Sequence, residues 1–178
     1  MIKPTRLDSV SIKTLLIELA DELDSTEQTI LCIVGGAHLA LSGLRESTLD
    51  IDSITPLSGV VKRAIENIAR RNDLPSNWLN DHARAFAPTG PFVDDVVLFE
   101  HRRLKVTGLS LRDIFLMKLA RAAANDVADM RVLWPRVAAI FGSTKAVVRD
   151  FYRAFPQEPF DKHLEDFVAS VVVGRGEK

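Results

Sequence analysis

Across 178 residues the chain carries 47% apolar and 26% charged side chains with a formal net charge of −1. That balance is enough to bury a core and excludes a disordered chain, and it lacks the global basic field that marks many nucleic-acid binders. A single cysteine, Cys32, allows no internal disulfide, no apolar run reaches the length of a bilayer span, and the N-terminus lacks a basic-then-apolar leader pattern, so a cytoplasmic protein with no membrane partner is expected.

After a short lead-in, Ser11 to Asp24 places Leu15, Leu16, Leu19, Ala20 and Leu23 at helical spacing, with Ser9 or Ser11 as its cap. Ile30-Leu31-Cys32-Ile33-Val34 is a β-prone apolar run in which Cys32 is expected to be buried and inert. The chain then turns on Gly35-Gly36 and continues through the small and aliphatic residues Ala37 to Leu44. A second strand-like run follows, carrying Asp50 and Asp52. Strand side chains alternate faces, so carboxylates at i and i+2 project from one side while Ile51 points to the core.

Pro56 ends that run, and Leu57 to Arg71 reads as an amphipathic helix whose polar side carries Lys62, Arg63, Arg70 and Arg71. The segment Leu74 to Pro88 reads as a short helix docking Trp78, Leu79 and Phe86, with Asn80, Asp81 and His82 as a polar cluster. Beyond the turn Pro88-Thr89-Gly90-Pro91, two short strands are expected, Phe92 to Phe99 and Arg102 to Val106. Ser110 caps a helix from Leu111 to Ala124 that contains Lys118. Helices over Val127 to Ile140, Lys145 to Phe155 and Phe160 to Val173 complete the chain, and Gly174 to Lys178 reads as a frayed tail. The alternation of elements predicts an α/β (α+β) fold, a small mixed sheet flanked by helices over residues 1–108, with an all-α part over residues 109–178 packed on it.

The chemistry concentrates between Ile30 and Thr55. Two carboxylates on one strand repel each other unless a cation lies between them, and a divalent ion such as Mg²⁺ takes carboxylate oxygens together with substrate phosphate oxygens. Glycines at a strand-to-helix turn expose backbone N–H groups and let an anion approach closely. Between the two, Arg45 has the choice of a phosphate or a neighbouring carboxylate, and Ser47 and Thr48 that of phosphate contact or of ending one element and starting the next.

The order strand, Gly35-Gly36, helix, thirteen residues (37 to 49) and then Asp50-Ile51-Asp52 resembles the nucleotidyltransferase superfamily that includes DNA polymerase beta, with its hG[GS] turn and Dh[DE]h strand. Three further features are similar to the AbiEii-type and DUF6036 groups: the phrase VGGAHLALSGLRESTLDIDSIT, the later Leu-Pro-x-x-Trp-Leu-Asn-Asp at 74–81, and a helix carrying Lys118-Leu119 ahead of Asp126 and Asp129. The resemblance implies Mg²⁺ held by Asp50 and Asp52, and an NTP cradled by Gly35, Gly36, Arg45, Ser47 and Thr48. It further implies a triphosphate contact from Lys118, oriented by Asp126 and Asp129, and transfer of a nucleoside monophosphate to a tRNA or protein hydroxyl, with a link to toxin–antitoxin systems. Three departures stand out. Gly36 occupies a position where many active members have Ser, Asn125 stands before Asp126 where the family often has an arginine, and the strand expected to supply a third carboxylate offers Lys105. Asp94, Asp95 and Glu100 are the neighbouring acids open as substitutes. The competing expectation is a catalytically impaired nucleotide-binding or protein-interaction module. A metal-dependent phosphohydrolase is a weaker third, since His38, His82, His101 and His163 are scattered.

Overall fold

A computed structural model describes residues 5–23, 27–89 and 96–172. The chain divides into an α/β unit, residues 1–85 with 95–109, and a helical unit, residues 86–94 with 110–178. The switch to helices thus falls at Leu109–Ser110, and a short stretch before the last hairpin groups with the helices. Within the helical unit, Thr89 ties this stretch down by donating from both N and Oγ1 to the carbonyl of Ala154, at 2.7 and 2.9 Å.

In the α/β unit the elements run β1 (Leu7–Asp8), α1 (Ser9–Glu22), β2 (Thr29–Val34), α2 (Gly35–Leu41), β3 (Ser47–Thr48), β4 (Ile51–Ser53), α3 (Gly59–Asn72), β5 (Leu79–Asn80), β6 (Val96–His101) and β7 (Leu104–Gly108). Five strands form a mixed sheet in the order β5-β4-β2-β7-β6, and β1 and β3 form a separate two-stranded ribbon. β2 lies at the centre, antiparallel to β4 and parallel to β7. It is central because Leu31, Cys32, Ile33 and Val34 are all buried, the near-continuous apolar run expected of a strand covered on both faces. Leu31 and Ile33 share one core cluster with Leu15, Leu16 and Leu19 of α1, Ile65 and Ile68 of α3, and Leu104 and Val106 of β7.

Several boundaries differ from the expectations for local reasons. The cap of α1 is Asp8, whose Oδ1 accepts from Ser11 N at 2.8 Å. A carboxylate satisfies an orphan N–H and the positive helix end together, which a serine does not. The expected docking helix at 74–88 is instead the edge strand β5 followed by a 3₁₀ turn at His82–Phe86. Ile51 N bonds to Trp78 O at 2.7 Å, and the Trp78 indole N–H reaches Ile65 O at 3.1 Å. That bond lets the largest core side chain be buried without an orphan donor, whereas Phe86 is exposed. Asn80 and Asp81 stitch the following turn: Asn80 Oδ1 accepts from His82 N at 3.0 Å, and Asp81 Oδ2 from Leu57 N at 3.1 Å. The Leu57 N–H bond holds the Asp81 carboxyl below the usual carboxylate range.

The expected start of β6 at Phe92 and the tail from Gly174 lie outside the described residues, as does Asp24. The basic side of α3 is partly consumed by α1, since Arg71 pairs with Glu22 and with Glu18 at 3.4 Å.

The helical unit contains α4 (Leu111–Arg121), α5 (Ala124–Phe141), α6 (Thr144–Ala154) and α7 (Leu164–Val172). α4 stops before the expected Ala124 because Ala122 takes a left-handed conformation, φ 47°. α7 starts at Leu164 and not at Phe160, because the backbone there bonds locally: Asp161 N donates to Tyr152 Oη at 2.7 Å and His163 N to Asp161 Oδ1 at 2.8 Å. Among the described residues no helix is long and apolar enough to cross a membrane.

Candidate active site

The glycine turn and the acidic strand meet. Val34, the last residue of β2, is in register with Asp52 of β4, so the turn that leaves β2 emerges beside the Asp52 carboxylate. Gly35 has φ +66°, and a Cβ built there would lie 3.3 Å from Asp52 Oδ2. Glycine is therefore needed twice at this position, for its backbone conformation and to keep the carboxylate's flank clear.

Burial alternates from half-buried Asp50 through buried Ile51 and half-buried Asp52 to buried Ser53. That period of two is the alternation expected of acids on the face opposite Ile51, although Asp50 precedes the strand and only Asp52 lies within it. The Asp52 carboxylate engages no hydrogen-bond or ion-pair partner among the described residues, whereas Asp50 does make an interaction of its own.

Gly36 needs no left-handed backbone; space alone demands it. A Cβ there would lie 2.5 Å from Thr48 Oγ1, 3.0 Å from Thr48 Cβ and 3.5 Å from Arg45 Nη1. Thr48 is held in place by the ribbon, where it pairs with Leu7, and is buried. Arg45 Nε donates to Ser47 O at 2.9 Å, and Ser47 Oγ accepts from Arg6 Nη1 at 3.3 Å. The segment Arg45–Thr48 thus folds over the second glycine as a unit. The glycine at position 36 is a packing consequence of Thr48.

No third acid joins the pair from the described residues. Glu100 of β6 is in register with Lys105 of β7, which is in register with Ile30. It therefore lies three strand spacings from Asp52, roughly 14 Å, and four residues along the strand direction, roughly 13 Å. Carboxylate–metal contacts of about 2.0–2.6 Å cannot bridge that gap, so Glu100 is ruled out as a substitute. Asp94 and Asp95 lie outside the described residues. Among those described, no three His, Cys, Asp or Glu side chains cluster as a metal centre.

Sequence reasoning misses one buried group. His38 on α2 has no exposed surface, and neither ring nitrogen has a hydrogen-bond partner. Its ring lies on Gly108, where a Cβ would meet His38 Cδ2 at 2.8 Å and Nε2 at 2.9 Å. Burial pushes its pKa down to about 4, so the imidazole is neutral in the folded chain at neutral pH. The available signal is a lone histidine inside the apolar run Ala37–Leu41.

In the helical unit Lys118 is buried between Asp126 Oδ1 at 2.8 Å and Asp129 Oδ2 at 2.7 Å. Arg121 adds a two-pronged contact to Asp126, Nε to Oδ2 at 2.5 Å and Nη2 to Oδ1 at 2.6 Å, and Ala123 N donates to the same carboxylate at 3.3 Å. Burial alone would raise the Asp126 pKa, but the hydrogen bonds from Arg121 and Lys118 outweigh it and hold the group below the usual carboxylate range. Two cations and two anions balance inside the unit, and Asp126 opens α5 in its first turn.

No curated protein and no solved structure matched the chain. A family model did: residues 12–134 match one described as a nucleotidyltransferase of unknown function. That stretch takes in the glycine turn, Asp50, Asp52, Lys118 and Asp126 and covers most of the sequence. The chain belongs to this nucleotidyltransferase family, DUF6036.

Proposed function

We infer that the α/β unit binds a nucleoside triphosphate and transfers its nucleoside monophosphate to an acceptor hydroxyl. The carrying observation is the Gly35–Asp52 contact, a carboxylate without a partner among the described residues, pressed against a turn that has no side chains. Two half-buried carboxylates on one face fit a hard divalent ion that keeps its own waters and takes substrate oxygens, so Asp50 and Asp52 are the residues that would hold Mg²⁺. When bound, the ion would neutralise charge on the phosphates. The backbone at Gly35 and Gly36 would receive a phosphate at close range, with Arg45, Ser47 and Thr48 around it. In the reaction the acceptor oxygen forms a bond to the α-phosphorus, the α–β bridging bond breaks, and pyrophosphate leaves with that electron pair. The acceptor proton passes to solvent or to a carboxylate of the pair.

A tRNA or a protein supplies the acceptor in this proposal, in a cytoplasmic, toxin–antitoxin-like setting. Lys118 needs no nucleotide to explain its burial, because Asp126 and Asp129 neutralise it within its own unit. The test is pyrophosphate release from each of the four NTPs with Mg²⁺ and a total-RNA or protein acceptor pool. Release that disappears in the Asp50→Asn/Asp52→Asn double variant supports the assignment; release that persists there removes it.

A second reading, a nucleotide-binding module without turnover, is favoured by the two-carboxylate count among the described residues. Calorimetric binding of an NTP with Mg²⁺ but without pyrophosphate release would select it.

A further inference from the structure

A helix packed on one side only turns a polar face to water, and α6 does so: Lys145, Arg149 and Arg153 are exposed while Val147 and Phe151 are buried. α5 departs from that rule. Its inner side carries the buried residues Met130, Leu133, Val137 and Phe141, and the helix meets α4, α6 and α7. Its outer side is apolar as well. Ala128, Val132, Pro135 and Ala139 are all exposed, with Ile140 beside them; Val132 keeps 47% of its surface and Ile140 62%. The first four stand at spacings of four, three and four residues, the a/d repeat of a helix–helix seam. A helix apolar all round is normally a buried one, so this outer seam calls for a second neighbour.

The charge beside the seam defines that neighbour. With Ala128 and Pro135 at d and Val132 and Ala139 at a, Arg131 falls at g and Arg136 at e, one on each flank, and both are exposed. No Asp or Glu stands three or four residues from either of them, and neither has an ion-pair or hydrogen-bond partner among the described residues. Elsewhere in the unit Arg112, Arg121 and Arg149 are taken up by Asp113, Asp126 and Asp150. Arginine on both flanks repels a second copy of the same face in either direction and matches carboxylates on a partner. We infer that the outer face of α5 docks an acidic amphipathic helix of a partner protein. The apolar side of that helix lies along the seam, and its Asp or Glu side chains pair with Arg131 and Arg136. The inference stands on the helical unit alone and is independent of the nucleotide site.

The probe is a synthetic three-heptad helical peptide with Leu at a and d and Glu at e and g, labelled and titrated against the full chain by fluorescence anisotropy. A twin peptide carries Lys at e and g, and every variant is checked by its unfolding midpoint. The Glu peptide is expected to bind the parent at least about tenfold more tightly than the Lys peptide, because like charges across a seam oppose docking. Added salt should narrow that difference. Arg131→Glu with Arg136→Glu is expected to invert the order of the two peptides. Val132→Gln with Ile140→Gln is expected to weaken the Glu peptide about tenfold or more at an unchanged midpoint, since both side chains are exposed in the free chain. A parent that binds neither peptide, or both equally, overturns the proposal, and so does an order that survives the double charge reversal. A parent that sediments as a dimer, and as a monomer after Val132→Gln with Ile140→Gln, assigns the face to a second copy. A single-stranded RNA that displaces the Glu peptide assigns it to nucleic acid. Either result also overturns the proposal.

Discussion

The α/β unit and the helical unit each hold a group of ionisable side chains away from bulk water, and they treat the charge in opposite ways. In the helical unit Lys118, Arg121, Asp126 and Asp129 consume one another, with contacts of 2.5–2.8 Å. Asp150 repeats the pattern on a smaller scale, taking Arg112 and Arg149 at 2.9 Å each. In the α/β unit, among the described residues, the Asp52 carboxylate is left without a partner beside Gly35, where a Cβ would lie 3.3 Å from it. A closed ion-pair network is explained by the fold that contains it. A carboxylate left open beside bare backbone is not, and in the proposed function a ligand would complete it.

The largest effect that breaks this comparison is expected in the helical unit. Asp126→Ala combined with Asp129→Ala removes both carboxylates around the buried Lys118 ammonium and should cost about 3–5 kcal/mol in urea unfolding, because an uncompensated buried charge is left behind. A loss below about 1 kcal/mol would mean that the network is not holding the helices.

His38 is next. Its folded pKa of about 4 lies below the ordinary 6.5, so the unfolded chain takes up a proton first as pH falls. Stability from this group is complete above about pH 6.5 and falls toward pH 4, on the order of 3 kcal/mol over the whole window. His38→Leu should flatten that slope and raise stability near neutral pH, since both ring nitrogens are unsatisfied. Asp126 and Asp150 act in the lower range: both are held below the carboxylate value of 3.8 because their hydrogen bonds outweigh burial. Their contribution is present above that value and is lost as pH falls through their folded pKa, so acid unfolding of the His38→Leu chain should begin only there.

Gly36→Ala comes third, with an overpacking cost of about 1–3 kcal/mol against Thr48, and it should shrink when Thr48→Gly is added. Smallest is Asp52→Asn, within about 0.5 kcal/mol of the parent in unfolding, because no partner is lost. That near-silence in stability, set beside the effect of removing Asp126 and Asp129, is what separates an open site from a closed network.

The sequence carried the α/β architecture through periodicity: the run Ile30–Val34 and the alternation around Ile51 are visible without coordinates, and they are the centre of the sheet. It also carried the resemblance that the family match bears out. The edge strand at Leu79–Asn80 was hidden because two residues carry no period, and only pairing with Ile51 makes them a strand. The break at Ala122 was hidden because alanine continues a helix on propensity and turns here against it. That Asp126 and Asp129 would orient Lys118 was implied by the family resemblance. The crowding of Gly36 by Thr48 could not be read from the sequence, because it depends on the ribbon with Leu7, forty-one residues earlier.

The most direct measurement is a titration of Mg²⁺ and NTP into the parent chain and into Asp52→Asn, each checked by its unfolding midpoint. Binding that requires Mg²⁺ in the parent and weakens at least about tenfold in Asp52→Asn, with the two midpoints alike, is the predicted result. Equal affinity in the two chains would contradict the claim that this carboxylate is kept open for a ligand.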